Sequence, residues 1–187
     1  MSKVILSSSL MDARGKMGNV VFRRHGNEHI MAHTPIVGDH VPTPKQAAQQ
    51  QRFKLAAIYG SAVLADPAKK AIYADKAKQK GITVFALTIA DFLHAPSVDN
   101  IDLSAYTGKA GETITIQASD DVAVAGVAVR ILDTTGAVLE QGPATGDNGS
   151  NWSYKTTTAL PVGQPVTIEV TASDLPGHTT TKTQTKS

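Results

Sequence analysis

Val166-Thr167-Ile168-Glu169-Val170-Thr171-Ala172 alternates apolar and polar side chains with no slip. Because successive side chains of a strand point to opposite faces, this run reads as a strand with one dry face and one wet face. The same period of two recurs on either side of it. Ile114, Ile116 and Ala118 alternate with Thr113, Thr115 and Gln117; Val127, Val129 and Ile131 alternate with Ala128 and Arg130; Trp152 and Tyr154 alternate with Ser153 and Lys155. Turn signals at Gly108–Gly111, Thr135-Gly136, Gly146–Gly149, Gly163 and Pro176-Gly177 cut the region from Val98 onward into about seven strands. One-sided strands of this length bury their dry faces by stacking one sheet on another, so a two-sheet sandwich is expected there.

Upstream the period changes. Over residues 43–93 apolar positions recur at helical spacing: Phe53, Ala56, Ala57, Gly60, Val63 and Leu64 in one segment, then Ala68, Ala71, Ile72 and Ala74 in a second. Thr43-Pro44 and Asp66-Pro67 each supply a capping side chain followed by a proline at the first helical position, where its missing N–H costs nothing. Gly81 is the expected C-cap of the second helix. A third apolar segment, Thr83 to Leu93, reads as helix, with a strand through Ile82–Leu87 as the alternative. Residues 1–41 look like β-structure. Val20 to Arg24 and Glu28 to Ala32 flank His25-Gly26-Asn27 as a hairpin, and the glycines of Asp12 to Asn19 are expected to break the run that precedes it.

The chain has 187 residues, 41% hydrophobic and 5% aromatic, so its cores must be mainly aliphatic, and it contains no cysteine. That removes disulfides and thiol chemistry. The opening Met1 to Leu10 carries one positive charge and no continuous apolar segment, so it does not read as a signal peptide, and no stretch is long enough for a membrane span. The expectation is synthesis in the cytoplasm, with export by another route such as host lysis. The net charge of +2 hides an asymmetry: thirteen basic and six acidic residues up to Pro96 give +7, and five basic and ten acidic residues beyond it give −5. A bipolar chain of this kind suits head-to-tail stacking of copies, or nucleic-acid binding by the basic half. The basic half has few aromatics for stacking and no groove-reading motif, so nucleic acid is not the expected partner.

Two stretches resemble known families. Asp120-Asp121 before a valine-rich strand, Asp133-Thr134-Thr135-Gly136, Trp152-Ser153-Tyr154 and Ala172-Ser173-Asp174-Leu175-Pro176-Gly177-His178 together resemble bacterial immunoglobulin-like (Ig-like) domains. Such domains commonly end in Ala-x-Asp-x-x-Gly-Asn; here His178 stands in the last position. The resemblance implies a spacer or binding module of the sort found in surface adhesins and on phage virion proteins. The N-terminal half, through Gly15-Lys16-Met17-Gly18-Asn19-Val20-Val21-Phe22-Arg23 and then Thr43, Gln46, Arg52 and Phe53, is similar to uncharacterised bacterial and phage-associated proteins, which bring no activity with them. The expected fold class is α+β: an N-terminal β-hairpin plus two or three helices, followed by an all-β Ig-like sandwich. The expected domains are a basic assembly domain over residues 1–96 and the sandwich over 97–187.

Chemistry-bearing constellations are sparse. His25, His29, His33 and His40 cluster, but on a strand His29 and His33 would share a face about 13 Å apart, too far to share a metal. Arg14, Gly15, Lys16 and Gly18 lack the Gly-Lys-Ser/Thr ending of a phosphate loop. In an Ig-like sandwich the second and sixth strands run parallel and finish at one pole, so Asp120, Asp121 and Asp174 would meet there, where an oxygen-rich set can hold calcium. The favoured reading is that each of them caps a turn, so no cofactor, no metal and no catalytic residue is expected. What remains is a protein that works through its surfaces: a self-assembling, homo-oligomeric structural subunit of a phage virion or an extracellular filament, or a module that attaches to glycan or a host surface. Short strands with open edges are templates for pairing with another chain. The expected assembly surface is therefore within residues 1–34, at Val4, Leu6, Val20, Phe22, Arg23 and Ile30.

Overall fold

A computed structural model describes residues 14–25, 28–34, 41–147, 149–160 and 163–186. The chain divides into two compact units, Met1–Pro44 and Lys45–Ser187.

The described part of the first unit is a three-stranded antiparallel sheet in the order β1 (Gly15–Met17), β2 (Val20–His25), β3 (Glu28–His33). Gly15–Met17, where a break was expected, is itself a strand. The turn falls instead at Gly18-Asn19, where Gly18 takes φ of 59°, and this lets Gly15 to Met17 fold back on Phe22 to Val20. Directly opposed residues of antiparallel strands share a face. Met17 opposite Val20, and Phe22 opposite Met31, therefore share one face, with Arg24, His29 and His33 beside them, while Lys16, Val21, Arg23, Ile30 and Ala32 occupy the other.

In the second unit, helices α1 (Pro44–Ala65), α2 (Pro67–Lys80) and α3 (Val84–Leu93) lead into eight strands, β4 (Ser97–Asp102) to β11 (Thr179–Lys186). Asp66 caps α2 by accepting from the N–H groups of Ala68 and Lys69, and Gly81 ends it in the left-handed region at φ 66°, which favours glycine because it has no Cβ. Thr83 caps α3, so the third apolar segment is helix and not strand. The strands build two four-stranded antiparallel sheets, ordered β11-β10-β6-β7 and β4-β5-β9-β8, where β5 is Thr113–Ser119, β6 Val124–Leu132, β7 Val138–Pro143, β8 Thr145–Gly146, β9 Asn151–Lys155 and β10 Val166–Asp174. Their dry faces share one core containing Ile114, Ile116, Val129, Ile131, Ile168 and Val170, as the period-two pattern requires.

A second, smaller core lies where the helices meet the sandwich. Val63 of α1, Tyr73 and Ala77 of α2 and Leu87 of α3 pack with Val122, and Tyr59, Val84, Ala123 and Leu175 border them. The helices therefore pack with the β-sandwich, whereas the sequence reading grouped them with the N-terminal strands in 1–96. The reason is that Val122, Ala123 and Leu175, which sit in turns beyond the alternating strands, supply an apolar cap for the helices. The close approach of α1 and α3 depends on Gly60, at which a Cβ would lie 2.6 Å from Thr88 Oγ1 and 3.0 Å from Phe85 Cε2.

Candidate functional site

The residues of the second unit that carry chemistry gather where the loops of one sandwich pole face the helices. Asp120 follows β5 and Asp174 ends β10. Asp120 Oδ2 accepts from the backbone N–H groups of Val122 at 3.1 Å and Ala123 at 3.2 Å. Asp174 is buried; its Oδ1 accepts from the N–H groups of Gly177 at 2.7 Å and His178 at 2.6 Å, and its Oδ2 lies 3.0 Å from His178 Nδ1. Asp121 points a different way, toward the ends of the helices. Its Oδ1 accepts from Lys80 Nζ at 2.9 Å, and its Oδ2 is 2.6 Å from His94 Nδ1. The His94 and Lys80 contacts hold the Asp121 carboxyl below the ordinary aspartate range. Asp120 and Asp174 thus hold turns by their side chains, while Asp121 ties the sandwich to α2 and to the end of α3. Among the described residues, no group of three or more His, Asp or Glu is arranged to hold a metal ion.

The member of this cluster that the sequence reading missed is Asp91. It lies in the apolar run Val84 to Leu93, on the same helix face as Leu87 and Thr88, and all three are fully buried. The Tyr73 hydroxyl donates to Asp91 Oδ2 at 2.5 Å and is itself 2.8 Å from the Tyr59 hydroxyl, so α1, α2 and α3 are linked by one polar chain. Burial pushes the Asp91 carboxyl up to about 7; the Tyr73 hydroxyl works against that, and the nearby carboxyls of Asp120 and Asp174 reinforce it. Burial also raises Tyr73, as do its bonds to Asp91 and Tyr59, which keeps its hydroxyl a donor. Phe92 packs beside this chain, its ring 5.4 Å from that of Tyr59 and edge-on to His178 at 5.1 Å. The signal in the sequence was a lone carboxylate inside a helical apolar run, four residues from Leu87.

A groove of about 710 Å³ opens beside the same pole, lined by Ile72, Asp75, Lys76 and Gln79 of α2 and by Ser119, Asp120, Ser150 and Trp152 of the sandwich. The Trp152 ring is half-buried at the end of the large core, against Gly146, and its Nε1 meets no acceptor among the described residues.

Of the residues expected to mediate assembly, Val20 and Phe22 lie on one face of the N-terminal sheet and Arg23 and Ile30 on the opposite face; Phe22 is 9% exposed and Ile30 40%. Val4, Leu6 and His40 fall outside the described residues. His29 and His33 lie on β3 opposite Arg24 and Val20. No helix among the described residues is long and apolar enough to cross a membrane.

No protein-family model matches the chain, and no curated protein matches it either. Solved structures align with about half of it. CopC from Methylosinus trichosporium OB3b is 21% identical over 49% of this chain and 90% of its own, with a TM-score of 0.37. The β-glucuronidase of Parabacteroides merdae is 17% identical over 48% of this chain and 13% of its own, with a TM-score of 0.33. A conjugative transposon lipoprotein from Bacteroides eggerthii is 9% identical over 48% of this chain and 92% of its own, with a TM-score of 0.26.

Proposed function

We propose that this protein is a non-enzymatic structural subunit that assembles with copies of itself, as a component of a phage virion or of an extracellular filament, and displays an Ig-like sandwich outward. The observation that carries this reading is the N-terminal sheet. Three strands of three to six residues cannot enclose a core, and Met17 and Met31, on one face of it, remain 67% and 45% exposed. One sheet of the sandwich is guarded against the same kind of pairing, since its edge strand β11 carries Lys182 and Lys186 and its other edge strand ends at Pro143. Assembly therefore falls to the first unit. Size-exclusion chromatography with light scattering, and negative-stain microscopy, test this on the full chain. Oligomers or filaments that are lost in Met17→Lys/Met31→Lys, while the circular dichroism of the second unit persists, are expected. A monomer at high protein concentration overturns the reading.

A second reading, attachment to glycan or a host surface, is favoured by the groove beside Trp152, whose lining combines one aromatic ring with hydroxyl, carboxylate, amide and ammonium groups. Binding on a glycan array that disappears in Trp152→Ala, by a chain that stays monomeric, would place this reading first.

A further inference from the structure

We propose that Asp91 keeps a proton and donates it to Asp120, and that this bond latches the helical layer to the sandwich. The geometry leads there by elimination. Asp91 Oδ2 is taken by the Tyr73 hydroxyl and Asp120 Oδ2 by the N–H groups of Val122 and Ala123. Asp91 Oδ1 and Asp120 Oδ1 are both buried and meet no donor among the described residues. Asp120 is the neighbour that acts most strongly to raise Asp91, and these two orphaned oxygens are the atoms left through which the carboxyls can bond. Two carboxylates cannot bond to each other; a carboxylic acid and a carboxylate can. Asp91, fully buried and flanked by the charges of Asp120 and Asp174, is the member that keeps the proton.

From α1 and α2 come the hydroxyls of Tyr59 and Tyr73, which lie along Asp91, and Asp75 and Lys76 of α2, which line the groove that reaches Asp120; Arg52 of α1 is bound to the Leu93 carbonyl. From β10 and its turn come Asp174 and His178, already paired with each other. Lys80 and His94 are taken by Asp121. Among the described residues no ion pair reaches Asp91 or Asp120, so loss of the proton sets two carboxylates against each other between α3 and the β5–β6 turn. The small core of Val63, Tyr73, Leu87 and Val122 lies in that same seam, so deprotonation weakens the packing of helices on sandwich. The latch is independent of the assembly and glycan readings.

The test is thermal unfolding of the full chain from pH 4 to 9 with carboxyl NMR titration of the wild type, beside Asp91→Asn and Asp120→Asn. In either variant a carboxamide N–H replaces the bonding proton. The wild-type melting temperature should fall by roughly 5–10 °C between pH 5 and pH 8, one aspartate carboxyl should titrate near neutrality, Asp91→Asn should lose that fall, and Asp120→Asn, in which Asp91 is still buried, should shrink it. If the two variants follow the wild-type profile, or if every aspartate titrates in the ordinary range, the proposal is overturned. A melting temperature at pH 8 that calcium restores in the wild type but not in the variants also overturns it, because the pair would then be a cation site. Should one variant fail to fold, the other and the wild-type titration decide.

Discussion

Replacing Glu140 tests whether the two sheets of the sandwich are joined by a carboxylate as well as by apolar contact. Glu140 lies on β7, in one sheet, and is 7% exposed. Its Oε1 accepts from the Tyr154 hydroxyl of β9, in the other sheet, at 2.8 Å, and from the Thr157 N–H at 2.7 Å and hydroxyl at 3.0 Å; its Oε2 accepts from the Thr158 N–H at 3.0 Å. Burial pushes this carboxyl up, but the four donors outweigh it and the net shift is downward. A folded value below the unfolded one means a contribution to stability that is present above the ordinary glutamate range and lost as pH falls through the lowered folded value. In Glu140→Ala the buried Tyr154 hydroxyl loses its acceptor, which costs about 1–3 kcal/mol, and the charge-assisted bonds to Thr157 and Thr158 are exchanged for water at about 1 kcal/mol more, for a total near 2–4 kcal/mol. Glu140→Gln keeps an oxygen for the Oε1 partners and turns an NH2 against the Thr158 N–H, so about 1–2 kcal/mol is expected. Urea unfolding of the full chain, followed by Trp152 fluorescence, measures both. Equal losses in the two variants, or no loss in either, would refute the view that this carboxylate acts through its acceptor bonds.

Other substitutions separate packing from polar effects. Gly60→Ala should destabilise by about 1–2 kcal/mol in chemical denaturation, because overpacking against Thr88 and Phe85 exceeds the roughly 1 kcal/mol that alanine adds inside a helix. Tyr73→Phe leaves Asp91 Oδ2 without a donor, should cost about 1–3 kcal/mol, and should move the Asp91 titration upward, since that hydroxyl favours the charged form. Glu169→Gln, by contrast, removes the partner of Arg130 in a cross-strand pair on a wet face and should change stability by less than about 1 kcal/mol, within a degree or two of melting temperature.

The period-two runs and the helix caps were legible because they are local. Alternation at Ile114 to Ala118 and Val166 to Ala172 assigns inward and outward faces without knowledge of the partner sheet, and Asp66-Pro67 and Gly81 mark α2 by the conformations that their own side chains and backbone favour. The pairing of Asp120 with a helix was not legible. Turn aspartates look alike in sequence whether they cap only their own loop, as Asp133 does with the N–H groups of Thr135 and Ala137, or also turn an oxygen toward a buried partner. Asp91 resembled an ordinary polar interruption of an apolar helix, because nothing in its neighbours declares which face will be covered.

By itself, then, the sequence determined where this chain forms its helices and its alternating strands, which faces of those strands are dry, and that its two halves differ in charge, since these follow from residue type and spacing along the chain. Only the tertiary structure decided that the helices belong with the sandwich, that Met17, Val20, Phe22 and Met31 share a face, and that Asp91, Asp120 and Asp174 converge from three separate elements. Those relations join residues distant in sequence, and they are set by which apolar surfaces find each other when water is excluded.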